Sequence, residues 1–380
     1  MRRWWRVLAC GFIPLAWSAG PPADLDVIRS SALDDGFARA SQPRAFVFPA
    51  DHGPHPAFRH EWWYVTGNLE STRGERFGFE LTFFRFALAP PGPSQDAAGE
   101  LASHWRTRQV YMAHFAVTDA ARKQFQFSQK YSRSALGLAG AEAQLLHVWL
   151  DDWKLDLDDP NPANSGSAAP VWKLQATGGD YGLSLEGPSS PPVLNGNQGL
   201  SVKSNEPGGA SYYYSIPRIA VRGQIARAGV AASVHGEAWL DREWGSGALG
   251  KNEQGWDWFA LQLNDGSTLM FYSLRNRDST RDSHSSGTWV DAAGRVRSLA
   301  SEDVAIEVLD YWDSPQGGRY PARWHVRVPA TGLDALVRPV LPQQELVTKP
   351  RYWEGAVDVQ AVGGGGALGR GYVELVGYAQ

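Results

Sequence analysis

From Phe46 onward, apolar and polar residues alternate with a period of two in short runs. "EWWYVTGNL", "RFGFELTFFRFAL", "VYMAHFAVTD" and "QFQFSQKYSR" are such runs, rich in Val, Phe, Tyr and Trp. Gly, Asn, Asp and Pro interrupt them at spacings of roughly ten residues, the pattern of short antiparallel strands in a barrel or sandwich. A second series runs from "SYYYSIPRIAVRGQIARAG" through "ASVHGEAWLDREWG" and "GWDWFALQLNDGSTLMFYSLRN" to "AVDVQAVGG". No segment after Ala40 carries a sustained apolar stripe of helical period, and a short helix fits only between Asp24 and Ala40. The loops at Ala89–Ala102 and Asp158–Pro170, rich in Pro, Gly, Ser and Asn, read as surface excursions. The expectation is an all-β chain.

The two series echo each other. "WWYVTGNL…RFGFELTFFRF" and "WDWFALQLNDGSTLMFYSLR" both read aromatic strand, tight turn, aromatic strand. Trp62 and Trp63 open one as Trp256 and Trp258 open the other, with Arg85 and Arg275 near the far ends. Two similar antiparallel β-barrels in tandem account for length, period and repeat together, one over 46–212 and one over 213–380. A linker at 19–45 precedes them.

The first 18 residues read as a secretion signal: "MRRWWR" is basic, "VLACGFIPLAW" is apolar, and Ala16 and Ser18 flank Trp17 as small residues before a cleavage site. The apolar run is too short to span a bilayer. Cys10 is the sole cysteine and lies inside this segment. Only Val7, Leu8 and Ala9 separate it from Arg6, too little apolar core for lipid anchoring through Cys10. The expectation is an exported chain, periplasmic or secreted, whose mature form has no thiol.

Composition narrows the partners. Of 380 residues, 43% are hydrophobic and 20% charged, the balance of a globular protein, and the net charge of −4 offers nothing to nucleic acid or to an anionic membrane. Tryptophan stands out, with 17 residues beside 13 tyrosines. Most of these rings suit an all-β core, but such amphipathic surface also suits carbohydrate, lipid or polyene pockets.

Strand periodicity sorts the acidic residues. In Gly255–Leu263, Asp257 shares a face with Phe259, Leu261 and Leu263, while Trp256 and Trp258 share the other. Asp257 is thus an isolated carboxylate on an apolar row. Lining a barrel interior, it would be held protonated by desolvation and could act as a general acid; at a strand mouth, it would accept an indole or backbone N–H. In "WLDREWG", Trp239, Asp241 and Glu243 share one face, and Leu240, Arg242 and Trp244 the other. Two carboxylates so close need a shared proton or an arginine, which fits either an Asp–Arg–Glu network closing a barrel end or a catalytic pair. In the opening strand, Glu61, Trp63 and Val65 alternate with Trp62, Tyr64 and Thr66, and His60 and Glu61 stand at the rim. Asp51, His52, His55 and His60 could gather around a metal, but their Pro-interrupted loop lacks the framework that fixes ligands, and no metal is expected. There is no G-x-S-x-G elbow, phosphate-cradling glycine loop or cysteine nucleophile.

The ordered series "FPADHGPHPAFRHEWWYVTGNL", "YYYSIPR", "HGEAWLDREWG", "GWDWFALQLNDGSTLMFYSLR", "YPARWHVRVP" and "YWEGAVDV…GRGYVELVGY" resembles the carotenoid 1,2-hydratase-like, AttH-type lipocalin proteins from about Phe48 to Tyr378. The resemblance implies two tandem lipocalin-like barrels in an exported bacterial protein, often associated with ABC-type permease systems. For activity it implies cofactor-free addition of water to a carbon–carbon double bond, or cyclisation of a polyene. An acid protonates the alkene, a tertiary cation forms, and water captures it. The chain departs from the hydratases in one respect: "DREWG" offers Arg242 and Glu243 but no histidine.

Two readings follow. As an enzyme, the chain would use Asp257 as acid and Asp241 or Glu243 to orient water. Trp63, Tyr64, Trp256 and Trp258 would form the aromatic wall, with Trp239, Trp244 and Tyr272 as further substrate-binding candidates. His60, Glu61, Arg242 and Arg275 would be rim or structural residues. As a carrier, the chain would hold a lipid or isoprenoid for a permease system, and the carboxylates would be structural.

Overall fold

The computed structural model describes residues 35–91, 107–143, 145–158, 169–247 and 249–379. The expected signal segment, the linker up to residue 34 and most of both long loops lie outside the described residues, as does most of the stretch considered for a helix.

The alternating runs form two antiparallel sheets. The first opens with β1 (His60–Ser71), β2 (Arg76–Ala87), β3 (Gln109–Asp119) and β4 (Gln124–Arg133). It continues through β5 (Ala139–Glu142), β6 (Leu146–Leu150), β7 (Trp153–Asp158), β8 (Val171–Gly178) and β9 (Tyr181–Pro188). Short β10 (Val193–Leu194) and β11 (Leu200–Val202) precede a long hairpin of β12 (Ala210–Arg227) and β13 (Val230–Gly245). Its two-residue turn has positive φ at both Ala228 (50°) and Gly229 (78°), the geometry that matches the twist of the flanking strands. The order β4-β3-β2-β1-β13-β12-β9-β8-β7-β6-β5 curls into a nearly closed barrel.

The second sheet holds β14 (Glu253–Leu263), β15 (Thr268–Asn276), β16 (Ser286–Val290), β17 (Val296–Leu299) and β18 (Ala305–Asp313). β19 (Arg319–Val328), β20 (Leu333–Pro339), β21 (Glu345–Leu346), β22 (Tyr352–Ala361) and β23 (Ala367–Val376) complete it. Its order, β17-β16-β15-β14-β23-β22-β20-β19-β18, makes a half-barrel. The expected join at 212/213 falls inside β12. The β12–β13 hairpin belongs to the first sheet because β1 needs β13 as its neighbour, Glu61 opposite Trp244 and Tyr64 opposite Asp241. The chain changes sheet between Gly245 and Glu253.

Three apolar clusters hold this together. One fills the first barrel, with Trp63, Val65, Leu240 and Trp244 pointing inward. A second fills the half-barrel around Phe259, Leu261, Trp324 and Trp353. The third lies between the sheets and gathers Tyr64, Tyr213, Trp239, Trp258, Tyr272, Tyr352 and Tyr372 from their outward faces. β1, β14 and the 238–245 half of β13 are therefore covered on both sides, which is why nearly every residue along them is buried. Fully burying each large apolar side chain is worth about 1.5–3 kcal/mol. Polar bridges fix the junction: Asn68 Nδ2 donates to the Gly371 carbonyl (3.0 Å), Thr118 Oγ1 to Gln344 (2.6 Å) and Gln262 Nε2 to the Pro217 carbonyl (2.8 Å). At Gly78 a Cβ would come within 2.6 Å of Ala356 across the junction, so the closeness of the sheets there requires glycine.

Candidate active site: an aromatic cleft between the barrels

The inter-sheet cluster is incompletely filled. A cavity of about 460 Å³ opens within it, in the range of about 300–1,000 Å³ usual for drug-sized ligands. β1 and β2 contribute Trp62, Tyr64, Phe84 and Phe86; β14 contributes Trp256 and Trp258; β15 contributes Tyr272 and Leu274. The polar lining comes from Asp241 and Glu243 on β13, Glu374 on β23, Tyr131, Tyr213, Tyr352 and the Lys203 and Lys349 side chains. Alternation produces this set directly. The lining residues of these strands alternate with positions that fill the barrel cores.

Asp241 is buried and accepts hydrogen bonds from Tyr213 Oη, from Ser215 Oγ (2.6 Å) and from Trp239 Nε1 (2.7 Å). These donors favour the carboxylate, yet desolvation outweighs them and raises its pKa to about 7, with repulsion from Glu243 adding to the rise. Tyr213 in turn accepts from Trp258 Nε1 (3.1 Å), which fixes that indole at the wall. Glu243 accepts from Ser211 Oγ and lies 3.4 Å from Lys203 Nζ.

Glu374 has a simpler environment. Among the described residues its hydrogen-bond partner is Trp256, whose Nε1 donates at 2.7 Å. Burial raises its pKa to about 8; the Trp256 bond works against this, and the charges of Glu80, Asp241 and Glu243 reinforce it. Behind the cavity wall lie two more buried carboxyls. Tyr64 Oη donates to Glu354 (2.6 Å), and Tyr352 Oη donates to Glu80 (2.9 Å) while meeting His114 Nδ1 at 2.6 Å. Burial raises both carboxyls, and for Glu354 the charges of Glu80 and Glu374 push the same way. Burial pulls His114 down to about 3, so the ring is neutral.

The residues singled out in the sequence divide between this cleft and the barrel interiors. Asp241, Glu243, Tyr64, Trp256, Trp258 and Tyr272 line the cavity, and Trp239 stands behind Asp241. Asp257 does not reach it. As alternation requires, it points into the half-barrel, where Arg275 pairs with it and Tyr378 Oη donates to it at 3.0 Å. Burial raises its pKa and Arg275 opposes the rise. Trp63 and Trp244 belong to the first barrel's core, with the Arg242 guanidinium 4.0 Å from the Trp63 ring centre. Glu61 is wholly buried there and pairs with both Arg85 and Arg242. Desolvation of Glu61 is outweighed by these two cations, which hold its pKa well below the usual carboxylate range. In both aromatic hairpins an arginine of the second strand thus reaches a carboxylate of the first, Arg85 to Glu61 and Arg275 to Asp257. The arginine of "DREWG" serves the barrel and the two carboxylates serve the cleft.

The histidines considered for a metal turn to different partners. His52 Nδ1 meets Tyr214 Oη (2.6 Å), His55 lies between Asp51 and Glu61 and stacks on Trp244, and His60 stacks on Trp62. Among the described residues no group of three or more His, Cys, Asp or Glu side chains is placed to hold a metal ion. Glu374, Glu354, Glu80, Tyr213, Tyr352 and Lys203 are site residues that the sequence reading passed over. Glu374 carried a usable signal. In "GYVELVGY" it is an isolated carboxylate sharing a face with Tyr372 and Val376, the same signature that drew attention to Asp257.

A nearly closed barrel and a half-barrel, joined face to face around an aromatic cleft, define a tandem lipocalin-like protein. The family model described as AttH-like matches residues 39–378, and the chain belongs to that family, as its ordered motifs imply. It is similar to a solved structure from Nitrosomonas europaea assigned as an AttH protein, with 35% identity and a TM-score of 0.77, covering 90% of this chain and 100% of that one. Kievitone hydratase from Nectria haematococca shares the fold at 14% identity and a TM-score of 0.65, covering 90% of this chain and 98% of that one. No curated protein matches. Among the described residues no helix is long and apolar enough to cross a membrane.

Proposed function

We propose that the chain adds water to, or cyclises, a carbon–carbon double bond of an apolar small molecule in the cleft between its barrels, without a cofactor. The observation that carries this reading is Glu374, a carboxyl raised to about 8 in an aromatic cavity and bonded to a tryptophan at its wall. At neutral pH it holds its proton, and it faces a cavity whose surface would otherwise favour an alkene. Protonation of the double bond by Glu374 would leave a carbocation, which the ring faces of Trp62, Trp256 and Trp258 can stabilise by up to about 2 kcal/mol each when desolvated. Water held by Asp241 and Glu243 would then attack the cation, and Asp241 would take the released proton. One water adds, Glu374 ends ionised, Asp241 ends protonated, and exchange of one proton restores both. The higher pKa belongs to the acid and the lower to the base, as such a pair requires. In this assignment Glu374 replaces Asp257, whose place in the half-barrel keeps it from a cavity-bound substrate.

A carrier would use the same apolar cavity but has no need of two carboxyls raised to about 7 and about 8. The kievitone hydratase fold is one on which a hydration enzyme has been built. We extend the proposal to an exported setting on the strength of the N-terminal segment, with a permease system as partner. The test is incubation with a panel of terpenoid alkenes in isotopically labelled water, read by mass spectrometry. The wild type should yield a hydrated or cyclised product, and Glu374→Gln should lower its rate at least a hundredfold, the scale of general acid catalysis. Full turnover by Glu374→Gln would remove the acid from the mechanism. Binding of the panel without any conversion would leave a carrier.

A further inference from the structure

Lys203 lines the cavity yet has no part in the chemistry above. It follows β11 directly, and its backbone N–H is tied to the Gly209 carbonyl at 2.8 Å. Its side chain is 8% exposed, and Nζ lies 3.6 Å from the centre of the Tyr272 ring and 5.1 Å from that of Tyr213. Ser201 (2.8 Å) and Ser286 (2.7 Å) engage the Tyr272 hydroxyl, which holds that ring with its face to the ammonium. The carboxylate partner of Lys203 among the described residues is Glu243, at 3.4 Å, and Glu243 already accepts from Ser211. Burial opposes the charge on Lys203, but Glu243 and Tyr272 outweigh it and keep the amine protonated.

An ammonium has three donors and no acceptor. Here Glu243 takes one and the Tyr272 and Tyr213 faces flank the group, so among the described residues Glu243 is the only oxygen partner of the ammonium. A nearly buried donor to a charged group is costly to leave unmet and rewarding to satisfy. The other acceptors of the lining, Asp241 and Glu374 among them, form no ion pair with Nζ among the described residues, so a further acceptor can come with the ligand. Glu243 balances the lysine charge, and Glu374 and Asp241 line the same space, so a neutral oxygen suits the site better than a full carboxylate.

We propose that Lys203 anchors a carbonyl or phenol oxygen at one end of the substrate, so that the site takes oxygenated isoprenoids or similar alkenes in preference to hydrocarbons. This rests on the cleft being the alkene site. Lys203 pairs with Glu243, which is two residues, or about 7 Å, along β13 from Asp241. The anchored oxygen and the reacting double bond are therefore several bonds apart on the same molecule.

The experiment measures displacement of a neutral fluorescent probe, N-phenyl-1-naphthylamine, by geranylacetone and by the hydrocarbon of the same skeleton without the carbonyl. The wild type should bind the ketone at least about tenfold more tightly, as a hydrogen bond to a charged donor provides. Lys203→Met should lose the preference for the ketone over the hydrocarbon, while Lys203→Arg retains it. Should Lys203→Met misfold with Glu243 unpaired, the double variant Lys203→Met/Glu243→Met removes both charges and must still show no preference. Equal affinities in the wild type, or a preference that survives in Lys203→Met or the double variant, overturn the anchor and leave the alkene site standing. If the wild type takes up neither the probe nor either terpenoid, the apolar cleft itself fails as a ligand site, and the anchor with it.

Discussion

Replacing Asp257 by Asn separates a structural carboxylate from a catalytic one. In the half-barrel its oxygens face the Arg275 guanidinium and the Tyr378 hydroxyl, the latter at 3.0 Å to both. Asparagine retains one acceptor but turns an N–H₂ toward a donor and leaves Arg275, only 12% exposed, without a counter-charge. Breaking a fully buried pair costs about 3–5 kcal/mol. Two features reduce this: Arg275 also donates to the Val376 carbonyl at 2.5 Å, and burial already favours the neutral acid at Asp257. The expected loss is therefore about 2 kcal/mol, a fall in melting temperature on the order of 5 °C. Thermal unfolding followed by near-ultraviolet circular dichroism measures it. Turnover per folded molecule, on any alkene the wild type converts, should stay within about twofold because the carboxyl does not line the cleft. An Asp257→Asn protein that melts like the wild type but has lost turnover would refute this reasoning and return the acid to the half-barrel.

Turnover should trace a bell against pH with its maximum between about 7 and 8. Below about 7 Asp241 is protonated and cannot accept the proton of water; above about 8 Glu374 has lost the proton it must donate. A rate that is flat between about pH 5 and 9 would exclude this acid–base pair. Arg242→Met should destabilise the first barrel by about 3–5 kcal/mol, since it deprives the buried Glu61 of one of two cations. Urea denaturation checks the figure, and adding Glu61→Gln should recover part of the loss; additive losses in the double variant would mean that the two residues do not act as a pair.

The fold was legible because alternation survives almost everywhere. Trp256 and Trp258 do face away from Asp257, and Asp241 and Glu243 do share a face away from Arg242. What alternation could not reveal was which face held the ligand. A strand with one wet side shows its inside by polarity, but β1, β14 and the 238–245 half of β13 are buried on both sides, so their two rows read alike. A barrel interior looked like the natural pocket, yet both interiors are packed with Trp, Phe and Leu. Asp257 was read on the right face of its strand and placed in the wrong space. The join was misplaced for a related reason: nothing in the composition of β12 and β13 says which sheet will recruit them, because that depends on pairing with β1, far away in sequence. Lys203 had no signal, since its role depends on a short loop meeting β15 across the junction.

Because the cleft is walled by the backs of strands whose fronts form two finished cores, its lining can be rewritten without disturbing either barrel core. An exchange at Trp62, Phe84 or Leu274 alters the shape offered to a ligand while the cores behind keep their packing. Enclosed-barrel binders lack this freedom, for there every change of ligand is also a repacking of the core. Two shells sharing one seam give a scaffold on which substrate range can diverge faster than fold, and directed evolution confined to the seam should find new substrates before it meets instability.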